Sequence, residues 1–218
     1  MFVAAGPVMG QYDPGASMDL GAGYGQIALS QSIMNGTRDV GEGHATQTAD
    51  RALRLYWSNS VSREFRQKMI EELARRFKLS QAHTEKLIED VNPIAGFQEI
   101  TYKIGLDMFN VADLLTTYCV VSWEMVRNRK ATPPGIESLN RKIRNSIASH
   151  EPVFASVQKL TAKEKQFWME SLAYGAMLNR RSLDTFMEQG ATARAQKLRE
   201  FISHTATEMG VDVKTLEL

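Results

Sequence analysis

The stretch that decides the fold is Asn110-Val111-Ala112-Asp113-Leu114-Leu115-Thr116-Thr117-Tyr118-Cys119-Val120-Val121-Ser122-Trp123-Glu124-Met125-Val126-Arg127. At 100° per residue, Asp113, Thr117, Glu124 and Arg127 fall on one narrow stripe. Leu114, Leu115, Tyr118, Cys119, Val121, Trp123, Met125 and Val126 spread over most of the remaining circumference. A helix so patterned is enclosed by others on nearly all sides, with the narrow stripe left to solvent. Asn110 opens it, and Asp113 sits near the positive end of its dipole. The apolar run from Val111 to Val126 contains Asp113 and Glu124 and is shorter than the roughly 20 residues of a membrane span. It reads as a core helix.

Downstream and upstream the period stays helical. Val61, Phe65, Met69, Leu73 and Phe77 share one face, widened by Ile70 and Ala74. The opposite face pairs Glu64 with Lys68, Glu71 with Arg75 and Glu72 with Arg76, all i,i+4. Ser80 can cap a helix ending near Asp90, and Asn92-Pro93 reads as N-cap and first position of the next. Thr132-Pro133-Pro134-Gly135 breaks the chain ahead of a helix marked by Ile136, Leu139, Ile143 and Ile147, and Glu151-Pro152 closes that region. Thr161-Ala162-Lys163-Glu164 is a capping box opening a helix with Phe167, Trp168, Leu172, Tyr174, Met177 and Leu178. Ala191, Ala195, Leu198, Ile202 and Met209 mark the last, stopped at Gly210. No alternating run suggests a sheet. The fold class expected is all-α: a compact multi-helix bundle around a central buried helix.

Residues 1–50 differ, holding nine of the fifteen glycines. Glycine loses the most backbone entropy on folding, so a Gly-rich N-terminal arm is expected there. It contains at most a short helix from Gln26 to Met34, closed by Asn35-Gly36. Residues 51–218 form the helical domain.

Charge excludes little but is balanced: 26 basic and 25 acidic residues give +1. None of the segments 1–60, 61–130 and 131–218 departs from neutrality by more than two charges, so the broad basic footprint of a nucleic-acid binder is missing. Cys119 is the one cysteine, so no intramolecular disulfide is possible. Met1–Met9 is apolar, lacks a positive n-region and is shorter than a signal peptide, so no targeting signal is read there.

Chemistry-bearing patterns are few. Gly21-Ala22-Gly23-Tyr24-Gly25-Gln26 has its third glycine misplaced for a dinucleotide loop and no strand before it. His44, His83, His150 and His204 are scattered, with no pair at i,i+3 or i,i+4, so no metal site and no cofactor is expected. Asp113 and Glu124 stand about 16 Å apart along the helix, too far to serve one bond as an acid/base pair. Should Asp113 be buried, a structural hydrogen bond or ion pair is the reading. Cys119, among apolar neighbours, is expected to be inert. Arg127, Arg129, Lys130, Arg141, Lys142 and Arg144 form the one local basic cluster, a candidate for anion or lipid binding.

Three stretches carry a resemblance: Gly23-Tyr24-Gly25-Gln26-Ile27-Ala28-Leu29-Ser30-Gln31-Ser32 with Asn35-Gly36-Thr37; Asn110-Val111-Ala112-Asp113 leading to Trp123; and Met209-Gly210-Val211-Asp212. Over most of residues 20–218 the chain resembles an uncharacterised bacterial family, a domain of unknown function whose members typically carry signal peptides. That resemblance implies a helical fold and export to the periplasm or beyond, and no catalytic residue.

The function expected is that of a non-enzymatic interaction or structural protein of the bacterial envelope or exterior. Its arm, through Phe2, Val3, Tyr12, Tyr24 and Ile27, would pack on a protein partner or another copy. Alternatives are a hydrolase-like enzyme whose site joins distant residues such as Asp113, Glu124, Tyr118, His83, His150 and His204, and an anion- or lipid-binding module. No nucleic-acid partner and no transmembrane segment are expected.

Overall fold

The structure, a computed structural model, describes residues 24–37 and 51–218, with side chains from Ile27 onward. Nine helices lie wholly within the described residues: α1 Tyr24–Gly36, α2 Asn59–Phe77, α3 Gln81–Val91, α4 Pro93–Lys103, α5 Val111–Arg127, α6 Pro133–Ser149, α7 Glu151–Lys159, α8 Ala162–Glu188 and α9 Thr192–Glu208. The only extended pairing among those residues is an antiparallel bridge between Arg54 and Asn110, closed by Leu55 N–H to the Phe109 carbonyl and Val111 N–H to the Leu53 carbonyl.

Helix α5 is the hub. It packs against α4, α6, α8 and α9, and every residue from Val111 to Trp123 is buried, as is Met125. Asn110 caps it, its Oδ1 accepting from Ala112 N–H at 2.9 Å and Asp113 N–H at 3.4 Å. The expected solvent stripe does not exist at its N-terminal half. Asp113 is 3% exposed and Thr117 fully buried. Solvent reaches only Glu124, Val126 and Arg127. The reason is α6, which covers the polar stripe with matching groups. Asp113 Oδ1 accepts from Asn140 Nδ2 and Arg144 Nη2, both at 2.7 Å, and Oδ2 from Asp107 N–H at 2.9 Å. Asn140 also donates to Thr116 Oγ1 and accepts from Arg144 Nε. Thr116 and Thr117 donate to the carbonyls one turn back. Asp113 is therefore a structural node, the reading set for it in the event of burial.

The other end of α5 is tied to the C-terminal segment. Trp123 Nε1 donates to the Leu216 carbonyl at 2.7 Å, and Arg199 Nε on α9 to the Met125 carbonyl at 3.1 Å. Asn128 stops the helix in the left-handed conformation at φ 52.

A second apolar cluster lies to one side, where Phe65, Met69, Ile70, Leu73 and Phe77 of α2 meet Ile88 of α3 and Tyr174 and Leu178 of α8. Helix α8, 27 residues long, serves both clusters. Its capping box is formed in full: Thr161 Oγ1 accepts from Glu164 N–H, and Glu164 from Thr161 N–H.

Several local expectations change. The N-terminal helix runs from Tyr24 rather than Gln26, and its Ile33 and Met34 lie in the main core. Ser146 Oγ donates to the Ile33 carbonyl at 2.6 Å, and Gly36 passes so close to Ser146 that a Cβ there would clash. Asn92 makes no side-chain cap; at φ 45 it ends α3 and precedes Pro93 in one left-handed step. Glu151-Pro152 also opens a helix, α7, since proline is tolerated in a first turn. Glu64–Lys68 and Glu72–Arg76 pair as expected, but Arg75 turns to Glu72 instead of Glu71.

Removing the Asp113 carboxylate tests the node. Asp113→Ala strands Asn140 and a partly shielded Arg144, and should cost about 3 kcal/mol in urea unfolding, while Arg144→Ala in that background costs much less than alone. Additive losses would show that the two groups do not act together.

Candidate binding site

The capping box fixes where α8 begins and therefore which of its residues face which neighbour. Positions four apart share a face, so Gln166, Glu170 and Tyr174 form one row. That row meets Ser58 and Ser62, also four apart, and then Phe65. Gln166 Oε1 accepts from Ser58 N–H at 2.9 Å, and its Nε2 lies 2.9 Å from both the Ser58 carbonyl and Ser62 Oγ. Glu170 Oε1 accepts from Ser62 Oγ at 2.5 Å and from Gln166 Nε2 at 2.8 Å. Tyr174 meets the Phe65 ring edge-on at 5.3 Å.

The neighbouring face of the same turn holds two more joints. Lys165, 9% exposed, donates from Nζ to the Ala52 carbonyl at 2.7 Å. Trp168 Nε1 donates to Ser30 Oγ of α1 at 3.1 Å.

Electrostatics follow from burial. Glu170 is 0% exposed, and its Oε2 has no hydrogen-bond partner among the described residues. Burial raises its pKa above the usual carboxylate range, against the opposing pull of the Ser62 and Gln166 hydrogen bonds. The Tyr174 phenol is pushed up, first by burial and then by the neighbouring Glu170 charge. Burial lowers the Lys165 ammonium.

Ser62 and Tyr174 also line a cavity of about 410 Å³ between α2, α3, α4 and α8. Trp57, Ile88, Pro93 and Ile94 give it apolar walls, and Asn59, Asn92, Arg63, Arg66 and Glu89 its polar ones. Arg66 pairs with Glu89 at 2.9 Å. Such a volume with apolar walls and a few convergent polar groups is the usual form of a small-ligand site. Sequence reasoning passed over Lys165, Gln166 and Glu170. The readable signal was the matched pair of i,i+4 polar rows, Ser58/Ser62 and Gln166/Glu170.

A second surface lies along the bridge. Of the four exposed large hydrophobic side chains described, three are aromatic: Tyr56, Tyr102 and Phe109. Tyr56 follows Leu55, whose N–H reaches the Phe109 carbonyl at 2.8 Å. Tyr102 lies in the last turn of α4, and Gly105 N–H returns to the Tyr102 carbonyl. Arg54 lies over the Phe109 ring at 5.9 Å and pairs with Asp107 at 3.0 Å.

The residues singled out from sequence are dispersed. Phe2, Val3 and Tyr12 lie outside the described residues, as do the Tyr24 side chain and His44; Ile27 is half-buried on α1. In the basic cluster, Arg127 donates to the Lys214 carbonyl, Arg129 stacks on Trp123 at 4.7 Å, Lys130 pairs with Glu124 at 2.7 Å, and Arg141 lies 3.9 Å from Glu137. Arg144 is held by Asp113. Lys142 lines a separate cavity of about 560 Å³, together with Asp212 and Glu217. None of Asp113, Glu124, Tyr118, His83, His150 and His204 lines either cavity. Burial pushes the Cys119 thiol up to about 12, in keeping with an inert side chain. Among the described residues no group of three His, Cys, Asp or Glu could hold a metal ion, and no helix is long and apolar enough to cross a membrane.

The chain belongs to a family of unknown function, DUF6683, whose profile matches residues 27–218. This agrees with the resemblance to an uncharacterised family. No curated protein and no solved structure matches it.

The Glu170 carboxyl has a pH signature. Because burial raises its folded pKa, the unfolded chain releases this proton first as pH climbs, and stability falls from the ordinary carboxylate range up through the folded value. Glu170→Gln cannot ionise and keeps an acceptor for Ser62. Its melting temperature should exceed the wild type's at neutral pH by a few degrees, at roughly 2–4 °C per kcal/mol, and the gain should vanish toward pH 4. A difference that stays flat across thermal melts from pH 4 to 8 would contradict a raised Glu170 pKa.

Proposed function

We propose that this is a non-enzymatic interaction protein of the bacterial envelope or exterior, which binds a protein partner or a second copy through the aromatic face around the bridge. The observation that carries this reading is the exposure of Tyr56 and Phe109 on the two backbone segments that the bridge joins, with Tyr102 exposed in the last turn of α4 ahead of Phe109. Tyrosine in particular supplies contact area with a polar tip and is enriched among residues that dominate binding energy. The face is preorganised: Arg54 is braced by Asp107 and stacks on Phe109. Little ordering entropy is then lost on docking.

The N-terminal arm contributes a further contact in this reading, through Phe2, Val3, Tyr12, Tyr24 and Ile27. Helix α1 supports it, because Ser30 and Ile33 are fastened to α8 and α6. Periplasmic or secreted placement is supported by the signal peptides that the family resemblance implies.

A photo-crosslinking residue at position 56, introduced into the full chain in the producing cell, should give a discrete adduct. The same residue at Met187, also exposed, should not. Tyr102→Ser with Phe109→Ser should abolish the adduct while leaving the melting temperature within about 1 °C, as expected for surface changes. Equal labelling from positions 56 and 187, or none from either, defeats the proposal.

A further inference from the structure

The geometry points to the cavity between α2, α3, α4 and α8 as a binding site for a small amphipathic monoanion, an aromatic or branched aliphatic carboxylate. Its apolar half is built by Trp57, Ile88 and Ile94, which can cover a flat or branched hydrocarbon body. Its charged half is unequal. Arg63 and Arg66 stand three residues apart on α2, against the single exposed carboxylate of Glu89. Glu89 is engaged by Arg66. Arg63 has no ion pair or hydrogen bond among the described residues. One guanidinium, able to take a carboxylate in a two-pronged contact, is left for a ligand.

The floor of the cavity supports the same sign. Ser62 and Tyr174 border it, and both are neutral polar side chains. The carboxyl directly behind them, Glu170, is fully buried, and burial shifts it toward its neutral form against the pull of the Ser62 and Gln166 hydrogen bonds. The lining thus sums to one uncompensated positive charge beside an apolar wall. That is the complement of a monocarboxylate with a hydrocarbon body, and it is independent of the aromatic face proposed for protein contacts.

The probe is 2-naphthoate, with 2-naphthamide as its uncharged analogue, titrated into the full-length protein by calorimetry and by tryptophan fluorescence. Trp57 borders the cavity whereas Trp123 and Trp168 are fully buried, so quenching should report site occupancy and disappear in Trp57→Phe. Naphthoate is expected to bind at least tenfold more tightly than naphthamide. Arg63→Gln should remove that preference, a loss of about tenfold for one charge-assisted contact. Ile94→Trp, which fills the space, should abolish binding of both probes while circular dichroism and melting stay close to wild type; Lys142→Gln, in the other cavity, should change nothing. If Ile94→Trp does not fold, Ile88→Phe replaces it. Absence of naphthoate binding, equal affinity for acid and amide, or full retention of affinity in Arg63→Gln overturns the inference.

Discussion

A helix closed off from water on nearly every side cannot leave a polar group unanswered, and α5 carries several. Transfer of an amide or hydroxyl into such surroundings without a partner costs roughly 1–3 kcal/mol, and an isolated carboxylate far more. Thr116 and Thr117 meet that demand locally by bonding one turn back. Asp113 cannot. It needs donors from elsewhere, and the structure supplies them from the α4–α5 loop through Asp107 N–H and from α6 through Asn140 and Arg144. The register of α6 on α5 and the path of the preceding loop are thereby fixed together. At the far end the same requirement binds the C-terminal segment, through the Trp123 indole and the Leu216 carbonyl.

Helix α8 extends this logic to a second core. At about 1.5 Å per residue its 27 residues span roughly 40 Å, enough to pack on α5 with one face and on α2 and α3 with another. Its first turns therefore sit where both cores meet the chain segments that join them. Buried polar residues cost desolvation, yet a wrong register would leave them unpaired at greater cost. Lys165, Gln166, Trp168 and Glu170 each bond to partners in a segment far away in sequence.

The same distinction explains what could be read from the sequence. The enclosure of α5 was legible because its apolar residues occupy most of the helical circumference, a property of the helix alone. The Thr161 capping box and the Ser80 cap were legible for the same reason. The fate of Asp113 and Thr117 was not: a polar stripe looks alike whether water or α6 covers it, and only the facing Asn140 and Arg144 distinguish the two. Lys165, Gln166 and Glu170 were hidden more deeply, since on a helix whose first turn is exposed they read as continued solvent-facing polarity. The burial of α1 was masked by the glycine content around it, although Ile33 and Met34 are as enclosed as α5 itself.

These joints also relate the two surfaces to each other. Lys165 holds Ala52, Gln166 holds Ser58, and Glu170 holds Ser62, so three residues within two turns of α8 seat the whole of residues 52–62. Seated there, that segment turns Arg54 and Tyr56 outward beside Phe109 and brings Trp57, Asn59 and Ser62 to the cavity wall. Neither surface needs a moving part to form; each is a consequence of how a buried strip of α8 satisfies its own hydrogen bonds. Loosening any one of the three joints should therefore disturb both surfaces, whereas substitutions on the aromatic face or in the cavity wall, Ser62 apart, leave the joints intact. That asymmetry separates residues that build the binding geometry from those that would touch a ligand or partner.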